Sequence, residues 1–505
     1  MALNSPTVED VAARLDEMGI DASREEAATM RELVAETLET YERTDELTEP
    51  EERRPTEHTD RAYHGRADPD EDPLSAWLRR CRIEGHDDGL LADTTVALKD
   101  NVSLAGVPIS FGTDLFEHVP TEDATIVTRM LDEGATITGI VDMDGFAFSG
   151  VGDTGAYGPT FNPHDSDRYA GGSSSGSAAA VGAGDVDVAI GGDQGGSIRI
   201  PAAWSGCVGH KPTHGLVPYT GVFRVDNTID HTGPIAGTVA DAASCLEAIA
   251  GTDPVDPRQR GVESKAYSDA LDGDVDDLTI GVVEEGFDLD VSDPAVDEAV
   301  RAAVDELADQ GATVESVSIP EHADAMPVWL PIIVHGAAAT LTANGEGYGW
   351  QGRYDTDLVT ALGRAQAANP DDLPFNVVVA ALLHDYLSDQ RYGEFYAKSQ
   401  NLRRSFTAAY DEALSAVDLL AMPTTPMPAF EHDPDRSAAD TFRHALAPAL
   451  NTCAFNTTGH PSVSVPCAKR DGLPVGLMLT GRQFEDATVL RAAHAFESAT
   501  DWESR

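Results

Sequence analysis

The spacing of apolar and polar positions changes along this chain. Over residues 7–43 the apolar positions recur at helical intervals. Val8, Val11, Ala12 and Leu15 share one face, and Met30, Leu33, Val34 and Leu38 another. Thr7 and Ser23 stand just before these faces, with acids in the following turn, as helix N-caps do. Residues 44–75 are charged and carry Pro50, Pro55, Pro69 and Pro73, which predicts a loop-like linker. From about residue 76 short β-rich runs alternate with helical ones. TTVALKD (94–100), DVDVAIGGD (185–193), LTIGVVEE (278–285), TVESVSI (313–319) and DLLAMP (418–423) read as strands. ATIVTRMLDEGATITGIVD (124–142) reads as helix, glycine turn and strand; PAVDEAVRAAVDELADQGA (294–312) and ATVLRAAHAFESA (487–499) read as helices. Such alternation predicts an α/β layered sheet with helices on both faces. The expected division is a helical appendage over 1–75 and a single large domain over 76–505.

Composition narrows the partners. The 505 residues hold 34 basic against 87 acidic side chains, a net charge of −53. A field of that sign repels nucleic acid and anionic membranes at low salt. Self-repulsion is screened at about 1 M salt, where the Debye length is about 3 Å; the spread of acids along folded-looking segments fits a salt-loving source. No run of about 18 apolar residues reads as a membrane span, and the N-terminus lacks the basic and apolar regions of a secretory leader. The five cysteines are scattered without paired spacing, as buried thiols of a cytoplasmic protein are, and read neither as disulfides nor as a zinc site.

The chemistry concentrates in GGSSSGSAAAVGAGDVDVAIGGDQGGSIRIP (171–201), where five serines lie among glycines and no histidine is present. A flexible linker does not fit, because the run continues into a strand. A phosphate loop lacks its lysine. Gly172–Gly176 matches the G-x-S-x-G elbow with Ser174 as nucleophile, but that motif requires a strand leading directly into the serine, and FNPHDSDRYA (161–170) reads as loop. GGDQGGS (191–197) offers a further reading beside the elbow, for which His210, His214, His231 and His460 lie downstream: glycines let backbone N–H groups converge beside Ser197.

These blocks, with VALKDNVSLAGVP (96–108), GHKPTHGLVPYTGV (209–222) and FNTTGHPSVSVPC (455–467), resemble the amidase signature family of serine hydrolases, from about Pro73 to the C-terminus. Within it, GGDQGGSIRIP, VPYTGV and DPRQ (256–259) are most similar to stand-alone aliphatic and aryl-acyl amidases. The resemblance implies a mixed sheet covered by helices and a Ser–cis-Ser–Lys triad with Ser197 as nucleophile, Ser173 as relay and Lys99 as base. It implies a cis Gly172–Ser173 bond, an oxyanion held by N–H groups of Gln194, Gly195, Gly196 and Ser197, and no cofactor or metal. Its substrate would be a small-molecule amide, cleaved to carboxylate and ammonia. The amidase-type subunit of a tRNA-dependent amidotransferase is the alternative. The N-terminal helices offer a surface through which a homodimer could form.

Two details bear on these roles. Lysine is nearly purged from the chain, surviving at positions 99, 211, 265, 398 and 469, so a lysine directly after the apolar run TTVAL stands out, with Lys211 as competitor. The relatives' M-D-E-F is here Met143-Asp144-Gly145-Phe146, without the glutamate. Asp193 and Arg199 are expected to brace the glycine turn, His210, His214 and His460 to be structural, and residues 320–400 to supply pocket walls.

Overall fold

The computed structural model describes residues 3–48, 58, 60–65, 68, 70–259, 261–342, 345–347 and 349–504. Two compact units separate, Met1–Pro55 and Thr56–Arg505. The first is a helical hairpin, Val8–Glu17 followed by Arg24–Asp45. Thr7 and Ser23 each close a capping box, with Asp10 and Glu26 reaching back to the cap, so the first orphan N–H groups of both helices are satisfied. Only Ala27 is buried in this pair.

The second unit is built on one mixed sheet of twelve strands. In chain order these are β1 Ala62–Gly65, β2 Trp77–Glu84, β3 Thr95–Lys99 and β4 Thr136–Val141. A separate two-stranded hairpin follows, β5 Phe161–Asn162 and β6 Asp165–Tyr169. The large sheet continues with β7 Val188–Asp193, β8 Val208–Lys211, β9 His231–Ala236, β10 Thr279–Val283 and β11 Thr313–Val317. It ends with β12 Leu419–Pro423, β13 Ser462–Arg470 and β14 Leu473–Gly481. The spatial order is β1-β2-β4-β3-β7-β9-β8-β13-β14-β12-β10-β11. The central strands are buried on both faces, which requires helices above and below the sheet.

Two sequence expectations need correction. Part of the 44–75 linker is strand: Ala62–Gly65 adds to the sheet edge by pairing with Arg80–Arg82. Its side chains are mostly exposed, so it carries no apolar alternation to reveal it. The lead-in to the serine run is likewise a small hairpin, Phe161–Asn162 with Asp165–Tyr169. One helical stretch among the described residues, Pro320–Leu341, is long and apolar enough to cross a membrane, and more than half of it is buried inside the unit. There it packs against the helices Phe375–Arg391 and Glu394–Ala416.

Strand register decides where the chemistry gathers. β3 lies parallel to β7, pairing Val96 with Val188 and Leu98 with Ile190. The carboxyl ends of both strands therefore open at the same edge, where α/β sheets present their loops to ligands. Lys99 ends one strand, and the GGDQGGS turn ends the other.

A candidate active site at the carboxyl ends of two parallel strands

Lys99 is wholly buried. Its Nζ donates to Ser173 Oγ at 2.8 Å, Ser174 Oγ at 2.9 Å and the Gly192 carbonyl at 3.3 Å. Burial drives the ammonium down from its ordinary 10.5 to about 7, against the pull of the Asp144 and Asp193 carboxylates. Lys211 is also buried, but its Nζ donates to the His460 and Pro212 carbonyls at 2.6 and 3.2 Å, and no described hydrogen bond joins it to a serine.

The five serines differ in surroundings. Ser173, at a cis Gly172–Ser173 bond, and Ser174 are fully enclosed just before the helix Ser175–Gly182. Ser174 Oγ is tied to both polar groups of Gly192: it donates to the carbonyl and accepts from the N–H, each at 3.2 Å. Ser175 accepts from Thr160 Oγ1, and Ser177 donates to the Ile190 carbonyl. Ser197 alone retains appreciable exposure, 7%. It is held beside Ser174, whose N–H donates to its carbonyl at 3.3 Å.

The turn from Asp193 to Ser197 is wound around one carboxylate. Asp193 receives Arg199 on both oxygens at 3.1 Å, Gly196 N–H at 2.7 Å, Ile198 N–H at 3.1 Å and the Asn456 amide at 2.8 Å. Burial alone would raise this carboxyl, but Arg199 beside it outweighs that and holds it at about 2. Each carbonyl of the turn also has a fixed donor. Asn456 Nδ2 binds Asp193 O at 2.9 Å, Trp329 Nε1 binds Gln194 O at 2.6 Å, and Ile200 N–H binds Gly196 O at 2.7 Å. In a planar trans peptide the N–H points opposite the carbonyl. These three anchors therefore aim the N–H groups of Gln194, Gly195 and Ser197 away from the scaffold, and no described hydrogen bond occupies them. Gly196 differs from expectation here. Its N–H is taken up by Asp193 and its carbonyl side by Ile200, so it shapes the turn and offers no free donor. At φ +140° a side chain there would also strike Thr452 Oγ1.

The amidase family model matches residues 74–490, most of the second unit. The chain belongs to the amidase signature family. It is 45% identical over 437 residues to an enantioselective amidase of Rhodococcus rhodochrous, covering 85% of this chain and 84% of that one. It is 40% identical over 426 residues to a glutamyl-tRNA(Gln) amidotransferase subunit of Natronomonas pharaonis, covering 83% and 99%. The crystal structure of a glutamyl-tRNA(Gln) amidotransferase subunit from Thermotoga maritima superposes with a TM-score of 0.71 at 29% identity, over 86% of this chain and 89% of that one. The fold is the amidase signature fold, and the protein is an amide-hydrolysing enzyme.

In this amidase Asp144 braces Ser173. Its N–H donates to the Ser173 carbonyl at 3.1 Å, while its carboxylate accepts from Gly152 and Thr154. Burial, aided by Asp153, pushes that carboxyl up to about 7. The missing glutamate has a steric counterpart: a side chain at Gly145 would lie 2.7 Å from Pro374 Cγ. The expected structural histidines are engaged elsewhere, His210 with Asp486, His460 with Asp411 and His214 with the Asn227 carbonyl. Sequence reasoning missed Asn456, Trp329 and Thr452, which hold the turn from 135 to 263 positions away. Nothing in their local spacing signals that contact.

Proposed function

We propose that this amidase acts alone on neutral carboxylic amides, through Ser197, Ser173 and Lys99. The observation that carries this is the buried Lys99 Nζ at 2.8 Å from Ser173 Oγ, beside a turn of fixed, unoccupied N–H groups that ends in Ser197. The proton inventory supports the direction of transfer. Ser174 gives its hydrogen to Gly192 O, so toward Lys99 it acts as acceptor, as Gly192 O does. Two Nζ hydrogens are thereby used; the third, given to Ser173 Oγ in the ammonium, is the one lost when the amine becomes neutral, and its lone pair then faces the Ser173 hydroxyl.

Lys99 takes the Ser173 proton as Ser173 takes that of Ser197, and Ser197 Oγ attacks the amide carbonyl. The tetrahedral oxyanion is held by N–H groups of Gln194, Gly195 and Ser197, each worth about 3 kcal/mol in such a role. As the C–N bond breaks, the proton returns through Ser173 to the leaving ammonia. Water then cleaves the acyl ester by the same route. Arg199, the cation just past Ser197, is paired with Asp193, and Ile200 follows it, so no cation there is offered to a substrate carboxylate, which favours an uncharged, apolar acyl group.

The second reading, a glutaminase component of an amidotransferase, draws on the 40% identity to such proteins. Against it stands Gln194, whose amide is turned to Tyr219 Oη at 2.9 Å, where the resemblance to such subunits implies a threonine. Ammonia release from a panel of aliphatic and aromatic amides by the purified chain, in high salt, separates the two. Turnover without partners is expected. Activity confined to glutamine, and only with added partner proteins, would establish the alternative.

A further inference from the structure

A second cluster of chemistry-bearing side chains lies at the opposite end of the strands from Lys99. His86 follows β2, with its N–H on the Leu131 carbonyl at 2.9 Å. Asp132 ends the helix Thr125–Asp132. His58 precedes β1, its carbonyl fixed by Arg61 Nε at 2.9 Å; Arg61 is itself paired with Asp123 at 2.5 Å. Three sequence-distant segments thus bring two imidazoles and a carboxylate together, with a ligand atom of each lying within 4.8 Å of the other two. The imidazole rings are 5.0 Å apart at 51°.

We infer that His58, His86 and Asp132 bind one divalent transition-metal ion of the zinc class. Three observations point to a cation. The His58 side chain is only 12% exposed, its Nε2 is buried and has no hydrogen-bond partner among the described residues, and Asp132 Oδ1 stands at 3.8 Å, outside hydrogen-bond range. A buried polar atom without a partner calls for an unseen ion or water, and here the gap is flanked by further metal-ligating atoms. The site also abuts the C-terminus of a helix, where the backbone dipole favours positive charge. The donor set selects the metal. Two nitrogens and one oxygen suit zinc and its neighbours, whereas magnesium and calcium take oxygen ligands. Around zinc, tetrahedral ligands about 2.0–2.1 Å from the metal stand about 3.4 Å from one another, so modest rotation of the exposed His86 and Asp132 closes the shell, with water in the fourth position.

The ion's part is structural. β3 pairs in parallel with β4 from Thr95↔Thr136 to Lys99↔Val141. Asp132 and His86 therefore sit beyond the starting ends of these strands, separated from Lys99 by the whole of β3, about 13 Å or more. The metal would fasten the segment entering β1 to the body of the sheet, stabilising the folded chain by mass action.

The test uses the full chain, stripped with chelator and equilibrated with zinc chloride in a large excess of magnesium, which saturates surface carboxylates without taking imidazoles. Gel filtration and elemental analysis are expected to find one zinc per chain, and zinc to raise the melting temperature. His58→Ala and His86→Asn are expected to weaken binding at least tenfold and abolish the thermal shift. His335→Ala, at an imidazole pair with two ligands only, should bind as the parent does. Amide hydrolysis equal to the parent's, without zinc, shows that the variants are folded; His86 is exposed, so His86→Asn keeps the test open if His58→Ala misfolds. A parent chain that retains no zinc, or a His86→Asn chain that binds and shifts like the parent, would overturn the site.

Discussion

At the scale of single residues, the account turns on the protonation of one lysine. A base works only when neutral, and Lys99 loses its proton near pH 7 because burial has lowered it from 10.5. The rate should therefore be level above about pH 7 and fall about tenfold per pH unit below it. A pH profile of kcat/KM checks this, and a profile flat through the acid side would contradict it. Neighbouring serines should separate just as sharply. Ser173→Ala removes the relay and should cost at least about 10³-fold in kcat. Ser174→Ala removes one acceptor from Lys99 and should cost about tenfold. The opposite order would restore the elbow reading, in which Ser174 attacks.

At the scale of elements, the turn from Asp193 to Ser197 is a peptide ribbon with its carbonyls pinned and the N–H groups of Gln194, Gly195 and Ser197 turned outward. Trp329→Phe keeps the ring against Gly195 but releases the Gln194 carbonyl, so kcat should drop about tenfold with little change in melting temperature. Gly196→Ala places a methyl group against Thr452 and Ile200 at positive φ, which should cost about 2 kcal/mol or more of stability in a denaturant melt. Much of this architecture was legible. The β-rich run TTVALKD and the alternation in DVDVAIGGD predict both strands whose ends carry Lys99 and the turn, and both structural caps at Thr7 and Ser23 follow from local pattern. Asp471-Gly472, both at positive φ between β13 and β14, is a short-range hairpin signal present in the sequence but absent from the strands predicted above. The edge strand Ala62–Gly65 could not be read, because its stability comes from the pairing partner and not from its own side chains. The same holds for Asn456 and Trp329: which carbonyl each one pins is fixed by tertiary packing, and no local spacing encodes it.

At the scale of the molecule, the charge of −53 and the interior lysines tell one story. Lysine is scarce in this chain, yet Lys99 and Lys211 are both completely buried, Lys99 against the Ser173 and Ser174 hydroxyls and Lys211 against backbone carbonyls. Many of the acids face solvent and repel one another, so the melting temperature should rise between dilute buffer and molar KCl, where screening is nearly complete; equal melting in both would remove the link to salt. The family fold was legible through ordered motif blocks, while the choice between a free amidase and an amidotransferase component rests on what the isolated chain does. The most direct measurement is to quench the purified chain in acid during turnover of an aromatic amide and sequence the Tyr169–Arg199 tryptic peptide by fragmentation. An acyl group on Ser197, absent from Ser197→Ala, is the predicted result. An acyl group on Ser174, or turnover undiminished in Ser197→Ala, would contradict the account.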